Sequence, residues 1–159
     1  CKTSNFELDA RVPLIISTPQ MAKDQQGKHS DSLVELLDLY PTLVDLCGLP
    51  AVKGIEGVSL RPVLNDAARA VKPAAYTQHP RPAYYKGEPE AMGCSVRTAR
   101  YRYTEWRDFK TGRVVAKELY DHDLDAGESH NVVSSPPEAA TLNETVKLLD
   151  GVFPLRARE

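Results

Sequence analysis

Apolar residues are distributed differently in the two halves of the chain. Residues 12–17 form a continuous apolar run, which predicts a strand covered on both faces, as in a parallel sheet. From Leu33 to Cys47 apolar residues recur every three or four positions, and the pattern ends at Gly48. This spacing predicts a helix that is closed by a glycine after its last turn.

Two starts are possible for this helix. Ser32 and Glu35 have the spacing of a capping box. Pro41 falls within the pattern and favours a later start, with Asp38 as the N-cap and the proline in the first turn. We therefore expect a break near Tyr40.

The second half of the chain alternates between apolar and polar residues. Residues 50–73 are rich in proline and glycine and predict a connection with one helical turn and a subdomain boundary. Four short runs rich in Val, Tyr, Thr and Trp then predict an antiparallel meander. The runs are residues 74–78, 92–97, 101–107 and 117–121. Ser135-Pro-Pro-Glu138 predicts the start of a final helix, whose apolar stripe runs from Ala139 to Phe153.

Composition narrows the class of protein. The chain has 159 residues, of which 42% are hydrophobic and 26% charged, and these fractions are typical of a folded chain. The net charge of −2, with scattered Lys and Arg, argues against a nucleic-acid partner. The longest apolar run is far shorter than the ~20 residues of a membrane span, so we expect no membrane partner. Cys1, Cys47 and Cys94 lack the paired spacing of zinc ligands.

Spacing alone does not define an active site. The chain has no glycine-rich phosphate loop and no Gly-x-Ser-x-Gly turn, and its histidines are far apart in sequence. The acidic residues Asp121, Asp123, Asp125 and Glu128 predict a solvated turn whose carboxylates cap backbone amides. Residues 78–82 predict a stiff polar loop after a strand, where binding residues are often found.

Several motifs, in order along the chain, resemble the C-terminal part of a type I sulfatase. They are Cys1-Lys-Thr-Ser-Asn-Phe-Glu7, Asp38-Leu-Tyr-Pro-Thr42, Gly57-Val-Ser-Leu60, Thr77-Gln-His-Pro-Arg-Pro82, Met92-Gly-Cys-Ser-Val-Arg97, Tyr101-Arg-Tyr-Thr-Glu-Trp106 and Glu118-Leu-Tyr-Asp121. The branch that this chain most resembles contains iduronate-2-sulfatase and its bacterial relatives.

The resemblance implies an α/β fold class. The chain would be the C-terminal part of an alkaline-phosphatase-like sulfatase fold, ending in a four-stranded antiparallel sheet with a packed C-terminal helix. Residues 1–66 would supply the last strand and helix of the large catalytic domain. Residues 67–159 would form a smaller C-terminal α+β subdomain.

The resemblance also implies an activity, the hydrolysis of sulfate monoesters of a sulfated sugar such as 2-sulfo-iduronate. Members of the family use a formylglycine, made from a Cys or Ser, and a calcium ion. No cysteine of this chain lies in the required Cys-x-Pro-Ser-Arg motif, so both groups would be supplied by residues upstream. The partners would be the sulfated carbohydrate and the N-terminal part of the same protein, and we expect the isolated chain to be inactive.

Four residues of this chain are candidates for substrate contact. Lys2 matches a family lysine in a Trp-x-Lys-x-x-Asn-Phe segment and would bind the sulfate. Thr3, His79 and Arg81 would line the sugar pocket, and no metal ligand is expected here. The family pattern Asp-Pro-x-Glu-x-x-Asn becomes Asp125-Ala-Gly-Glu-Ser-His-Asn131, which loses the proline and keeps the carboxylate and the Asn.

Two alternatives stay open at this point. The same scaffold also serves phosphomonoester and phosphonate hydrolases, which differ from sulfatases in their nucleophile and metal ligands. A non-catalytic carbohydrate-binding or oligomerisation module would instead bind sugar without calcium. The short connection over residues 20–31 favours a bacterial exported enzyme, periplasmic or secreted rather than lysosomal.

Overall fold

The computed structural model describes residues 3–84, 86–135 and 139–155. It divides into two compact units, one made of the residues up to Val12 together with those from Tyr76 onward, the other Pro13–Ala75. The sequence-based boundary at residue 66 concerns the domains of a whole sulfatase and stays a prediction. Among the described helices, none combines the length and apolarity needed to cross a bilayer.

The first unit is built on a four-stranded antiparallel sheet, as the alternation predicts. Its strands are β1 (Ala75–Arg81), β2 (Ala91–Arg97), β3 (Tyr101–Asp108) and β4 (Val114–Asp121), and they lie in the order β1-β2-β3-β4. In the register Val96 pairs with Tyr103 and Tyr103 with Leu119, and all three side chains are buried. This row forms the core of the sheet.

One face of the sheet packs against the C-terminal helix, Ala139–Val152. Leu149 of this helix is fully buried, and the ring of Phe153 meets that of Tyr76 edge to face with 6.2 Å between centroids. Arg107 of β3 donates to the Asp150 carboxylate and so ties the helix to the sheet. The predicted helix is confirmed, while its expected start at residues 135–138 lies partly outside the described residues.

The opposite face of the sheet is covered by residues 3–11, which we call the N-terminal segment. It contains the one-turn helix α1 (Glu7–Ala10). Phe6 packs edge to face on Tyr120 of β4, with ring centroids 5.7 Å apart. Because both faces are covered, four consecutive residues of β3, Arg102 to Glu105, are buried.

The second unit contains a short 3₁₀ helix (Leu36–Asp38), α2 (Leu39–Leu46) and α3 (Arg61–Asn65). The later of the two predicted starts is confirmed, because Asp38 is the N-cap of α2. The capping box with Ser32 is wrong, since Glu35 and Asp38 form the box of the 3₁₀ helix instead. Gly48, with φ of 64°, follows the helix as predicted.

Two predicted elements differ from the structure. Residues 12–17 form no strand, and Ile15 is 91% exposed, because a parallel strand needs neighbours and the described chain pairs none with it. The polar loop predicted for residues 78–82 is wrong in its first part, since β1 continues to Arg81. The hydrogen bond from Glu90 N to Arg81 O, 2.8 Å, shows that pairing persists to that point.

Candidate functional site

The predicted sulfate ligand, Lys2, lies outside the described residues, and the structure begins at its neighbour Thr3. The backbone N–H of Thr3 and the hydroxyl of Ser4 both donate to Oδ2 of Asp9, at 3.1 and 2.6 Å. These bonds, from Ser4 first and then Thr3, lower the pKa of Asp9. The chain just after Lys2 is therefore folded back onto α1.

Asn5 fixes the same segment to β2. Its side-chain amide is 3% exposed and donates to the carbonyl of Gly93 at 3.0 Å. A Cβ atom on Gly93 would lie 2.6 Å from Nδ2 of Asn5 and 2.8 Å from the ring of Trp106. Glycine is required here because the asparagine and the tryptophan occupy the space of a side chain.

Glu7 is bound through both its side chain and its main chain. Its carboxylate accepts from Nη2 of Arg102 at 2.5 Å and from Nε of Arg97 at 3.3 Å. Its backbone N–H donates to Oε2 of Glu128 at 2.6 Å, and Oε1 of Glu128 accepts from Nε of Arg102 at 2.6 Å. His122 completes the cluster with its Nε2 2.8 Å from Glu128 Oε1.

The charges of this cluster balance in a site with little solvent. The side chains of Arg102 and Glu128 are 3% and 1% exposed. Burial by itself raises the pKa of Glu7, but the hydrogen bond and the charge of Arg102, followed by the charge of Arg97, outweigh burial. The pKa of Glu7 is therefore lowered, and the carboxylate is ionised at neutral pH.

The same residues do not form a calcium site. Glu7, His122 and Glu128 offer ligand atoms within 4.8 Å of one another. Calcium takes six to eight oxygen ligands, whereas this group offers two carboxylates and a nitrogen. Both carboxylates are already bonded to Arg102, whose positive charge would repel a cation.

The remaining predicted residues, His79 and Arg81, share one face of β1 because they are two positions apart in a strand. The guanidinium of Arg81 lies over the Trp106 ring, 5.0 Å from its centroid. The Trp106 indole N–H donates to Glu118 at 3.0 Å, which holds the ring in place. Nδ1 of His79 lies 2.9 Å from the carbonyl of Pro80. The Trp106 ring and the Asn5 side chain both lie over Gly93. Arg81, which stacks on Trp106, is therefore on the same face of the sheet as the N-terminal segment.

The prediction for the acidic turn after β4 is confirmed in part. Oδ2 of Asp125 accepts from the backbone N–H of Ser129 and His130, at 2.6 and 2.7 Å, so this carboxylate does cap amides. A solvated turn is wrong for Asp121 and Glu128, whose side chains are 3% and 1% exposed. Their charges are buried because each pairs with an arginine of the sheet region, Asp121 with Arg100 and Glu128 with Arg102.

Sequence reasoning missed the cluster as a unit. Its members come from four separate motifs, the opening stretch, the end of β2, the start of β3 and the turn after β4. A signal was present in Arg102, a charged residue that stands between two tyrosines, Tyr101 and Tyr103, in the sequence of β3. The partner of a buried charge in a strand is set by tertiary packing, which spacing does not specify.

Comparison with known proteins identifies the family. Residues 2–152 match the family described as N-sulphoglucosamine sulphohydrolase, C-terminal. The chain belongs to this family. The match includes the N-terminal segment, the sheet, the turn after β4 and all of the final helix, so it contains every residue of the cluster around Glu7.

Two relatives of this sulfatase C-terminal region show the same likeness. It is 32% identical over 156 residues to arylsulfatase K of Gallus gallus, covering 96% of this chain and 26% of the relative. It is 29% identical over 200 residues to iduronate 2-sulfatase of Mus musculus, covering 89% of this chain and 36% of the relative. The chain thus spans about a quarter to a third of the length of these relatives.

Solved structures share its fold. A 2-O GAG sulfatase, BT1596, superposes with a TM-score of 0.57 at 31% identity, over 73% of this chain and 24% of that one. BT4656, solved with its substrate D-glucosamine-2-N,6-O-disulfate, gives a TM-score of 0.59 at 25% identity, over 72% of this chain and 22% of that one. The sequence-based α/β sulfatase fold, with its terminal sheet and helix, is confirmed.

Proposed function

We propose that this chain is the C-terminal part of a sulfatase that hydrolyses sulfate monoesters of a sulfated sugar. The family match over residues 2–152 carries the proposal. The relative named iduronate 2-sulfatase and the neighbour described as a 2-O GAG sulfatase support a 2-sulfated uronate as the substrate class. The resemblance to bacterial enzymes supports an exported, periplasmic or secreted location.

In this proposal Lys2 binds the sulfate. Sulfuryl transfer develops negative charge on the sulfate oxygens and on the leaving oxygen, and an ammonium aimed at them stabilises the transition state. Such a donor contributes ~3 kcal/mol, or about a hundredfold in rate. A formylglycine nucleophile and a calcium ion, supplied by the rest of the protein, would provide the attack on sulfur and further charge neutralisation.

The sugar would be recognised by Thr3, His79 and Arg81. Arg81 is exposed, and among the described residues it has no carboxylate partner, so its N–H groups are available to a ligand. Stacking on Trp106 engages the flat face of the guanidinium and leaves its edge able to bind a carboxylate or sulfate in a two-point contact. A uronate carboxylate has the matching geometry.

The test of Lys2 uses the full-length protein. We expect Lys2→Ala to lower kcat on an aryl sulfate about a hundredfold. Lys110→Ala, in the exposed turn between β3 and β4, is the matched control and is expected to retain full activity. A loss of less than about threefold in Lys2→Ala would exclude this lysine from the mechanism. Faster hydrolysis of a phosphate or phosphonate ester than of the sulfate would exclude the sulfatase itself.

The test of Arg81 compares two substrates. We expect Arg81→Ala to raise KM for a 2-sulfated uronate oligosaccharide about tenfold or more. The KM for an aryl sulfate, which has no carboxylate, should stay unchanged. Arg113→Ala, another exposed arginine, is the control. Equal effects on both substrates would show that Arg81 supports the fold and does not contact the sugar.

A further inference from the structure

The N-terminal segment has little stability of its own. Its helix α1 is one turn of four residues, far shorter than the ~12 residues at which an isolated helix becomes marginally stable. The bonds from Thr3 and Ser4 to Asp9 are internal to the segment and do not attach it to the sheet. The position of the segment must therefore come from its contacts with the strands.

Most of the hydrogen bonds that attach the segment are made by Glu7. The carboxylate is held from two directions by Arg97 and Arg102, while the backbone N–H of the same residue is held by Glu128. Binding the side chain and the main chain of one residue fixes its orientation as well as its place. A second anchor of the segment, Asn5, lies two residues before Glu7 and donates to the carbonyl of Gly93.

A stability role does not explain why these contacts are ionic. Replacing a buried ion pair by well-packed apolar residues is often neutral or stabilising, because desolvation cancels most of the attraction. Charged hydrogen bonds with fixed directions do, however, specify geometry more narrowly than apolar packing. A cluster of this kind is suited to positioning.

We infer that Glu7, held by Arg97, Arg102 and Glu128, is a positioning residue that orients the backbone of the N-terminal segment and through it the ammonium of Lys2. This inference rests on the proposed role of Lys2. The Glu7 carboxylate joins the segment to β2 and β3, and Glu7 acts through the chain that connects it to Lys2.

The experiment compares Glu7→Gln with Glu105→Gln in the full-length protein. Glu105 is the matched control because it is a carboxylate 2% exposed, bonded to Arg107 on the face of the sheet that carries the C-terminal helix. Both variants are expected to lower the unfolding temperature. We expect only Glu7→Gln to lower kcat on an aryl sulfate, about ten- to a hundredfold, since a misplaced catalytic group costs rate. KM should change less than about threefold if ground-state binding is retained.

Two further measurements separate positioning from folding. Backbone amides of residues 3–10 should exchange hydrogen faster in Glu7→Gln than in Glu105→Gln. Glu7→Asp keeps the charge and is expected to fold even where Glu7→Gln does not, with a smaller loss of kcat in the same direction. Wild-type kcat in every folded Glu7 variant would overturn the inference, and so would an equal loss in Glu105→Gln.

The double variant Lys2→Ala, Glu7→Gln distinguishes this inference from the proposed function. If Glu7 acts through Lys2, the two losses are not additive, and Glu7→Gln costs little once the lysine is gone. Full activity of Lys2→Ala would overturn the role of Lys2 and with it the inference. A large loss in Lys2→Ala combined with strictly additive losses in the double variant would overturn positioning alone.

Discussion

Gly57 lies against the backbone of the 3₁₀ helix in the second unit. A Cβ atom at this position would be 2.1 Å from the carbonyl oxygen of Leu37. A backbone carbonyl does not move as easily as the end of a side chain, so the contact has to be relieved by shifting the chain. This explains why the motif Gly57-Val-Ser-Leu60 begins with glycine.

We expect Gly57→Ala to lower the free energy of unfolding by about 3 kcal/mol, as overpacking in a tight contact does. Gly151→Ala is the matched control, since a Cβ there meets nothing within 4 Å and the residue is helical. That change is expected to stabilise by about 0.5–1 kcal/mol through helix propensity. Urea unfolding of the full-length protein measures both. Equal stability of the two variants would show that the contact at Gly57 relaxes freely.

Glu7 makes a pH-dependent contribution to stability. Its pKa is lowered in the folded state, because the hydrogen bond and charges of the arginines outweigh the effect of burial. Folding therefore favours the ionised form, so the contribution is complete above the unfolded-state pKa of about 4.3 and is lost as the pH falls through the folded-state value.

We expect the unfolding temperatures of the wild type and of Glu7→Gln to differ most at neutral pH and to converge below about pH 4. Glu88→Gln, at an exposed position between β1 and β2, is the control and should follow the wild type throughout. A difference that stayed constant from pH 7 to pH 3 would contradict an ionic role for Glu7.

At the scale of elements, α2 is joined to the following connection by the side chains of its own first turn. Thr42 donates its hydroxyl to the carbonyl of Asp38 at 2.6 Å and accepts from the backbone N–H of Leu60 at 2.8 Å. Oδ1 of Asp38 accepts from the N–H of Val58 at 3.0 Å, and Lys72 lies against its other oxygen. The motif Asp38-Leu-Tyr-Pro-Thr42 thus folds the connection onto the helix.

Thr42→Val removes the acceptor of a buried N–H while keeping the shape of the side chain. We expect it to cost about 1–3 kcal/mol, the penalty of an unsatisfied buried donor. Thr145→Val is the matched control, since Thr145 is equally buried but only donates to carbonyls of its own helix, from Thr141 and Leu142. Its cost should be below about 1 kcal/mol. Equal costs, measured by urea unfolding, would show that the Leu60 N–H finds another acceptor.

The elements differ in how well the sequence predicts them. The four strands follow from the local alternation of apolar and polar residues. The later start of α2 follows from Pro41 and Asp38. The apolar run at residues 12–17 carries the signal of a buried strand, but a parallel strand is defined by neighbours that the described chain does not provide. The end of β1 at Arg81 was missed because Pro80 and Pro82 predict a loop.

The candidate site was predicted only in part. The motifs identified the family, and the role of Lys2 that they imply stays a prediction. They did not indicate that Asn5, Glu7, Arg97, Arg102 and Glu128 would meet on one face of the sheet. Contacts between residues about ninety positions apart, such as that of Glu7 with Arg97, depend on how the strands are arranged. The cross-strand neighbours of Arg102 follow once the register is known.

At the scale of the whole molecule, the second unit presents apolar side chains that a folded protein normally covers. In and before α2, Leu36, Leu37, Tyr40 and Leu43 are 65%, 43%, 54% and 60% exposed. Several large apolar side chains exposed within one short stretch mark a binding face or an aggregation risk. In a full-length sulfatase the large catalytic domain is the expected cover.

We expect the isolated 159-residue chain to be inactive on aryl sulfates and to self-associate. Size-exclusion chromatography and an activity assay measure the two properties, with the full-length protein as the control. A monomeric chain that binds sugar saturably without calcium would instead favour a carbohydrate-binding module. Turnover by the chain alone would show that the nucleophile does not lie outside it.

The coverage of the sheet on both sides has a consequence for sequence variation. A strand with one solvent-exposed face tolerates substitutions at every second position, whereas β3 is buried at four successive positions, Arg102 to Glu105. Tolerance to substitution should therefore be low at all four of these positions of β3, with no alternation from one residue to the next. In β4, where Val115 is 62% exposed, substitutions should be accepted freely near the beginning of the strand and rejected toward its end. Variants sampled by drift or by a library would accumulate on the outer strand and leave the central one almost invariant.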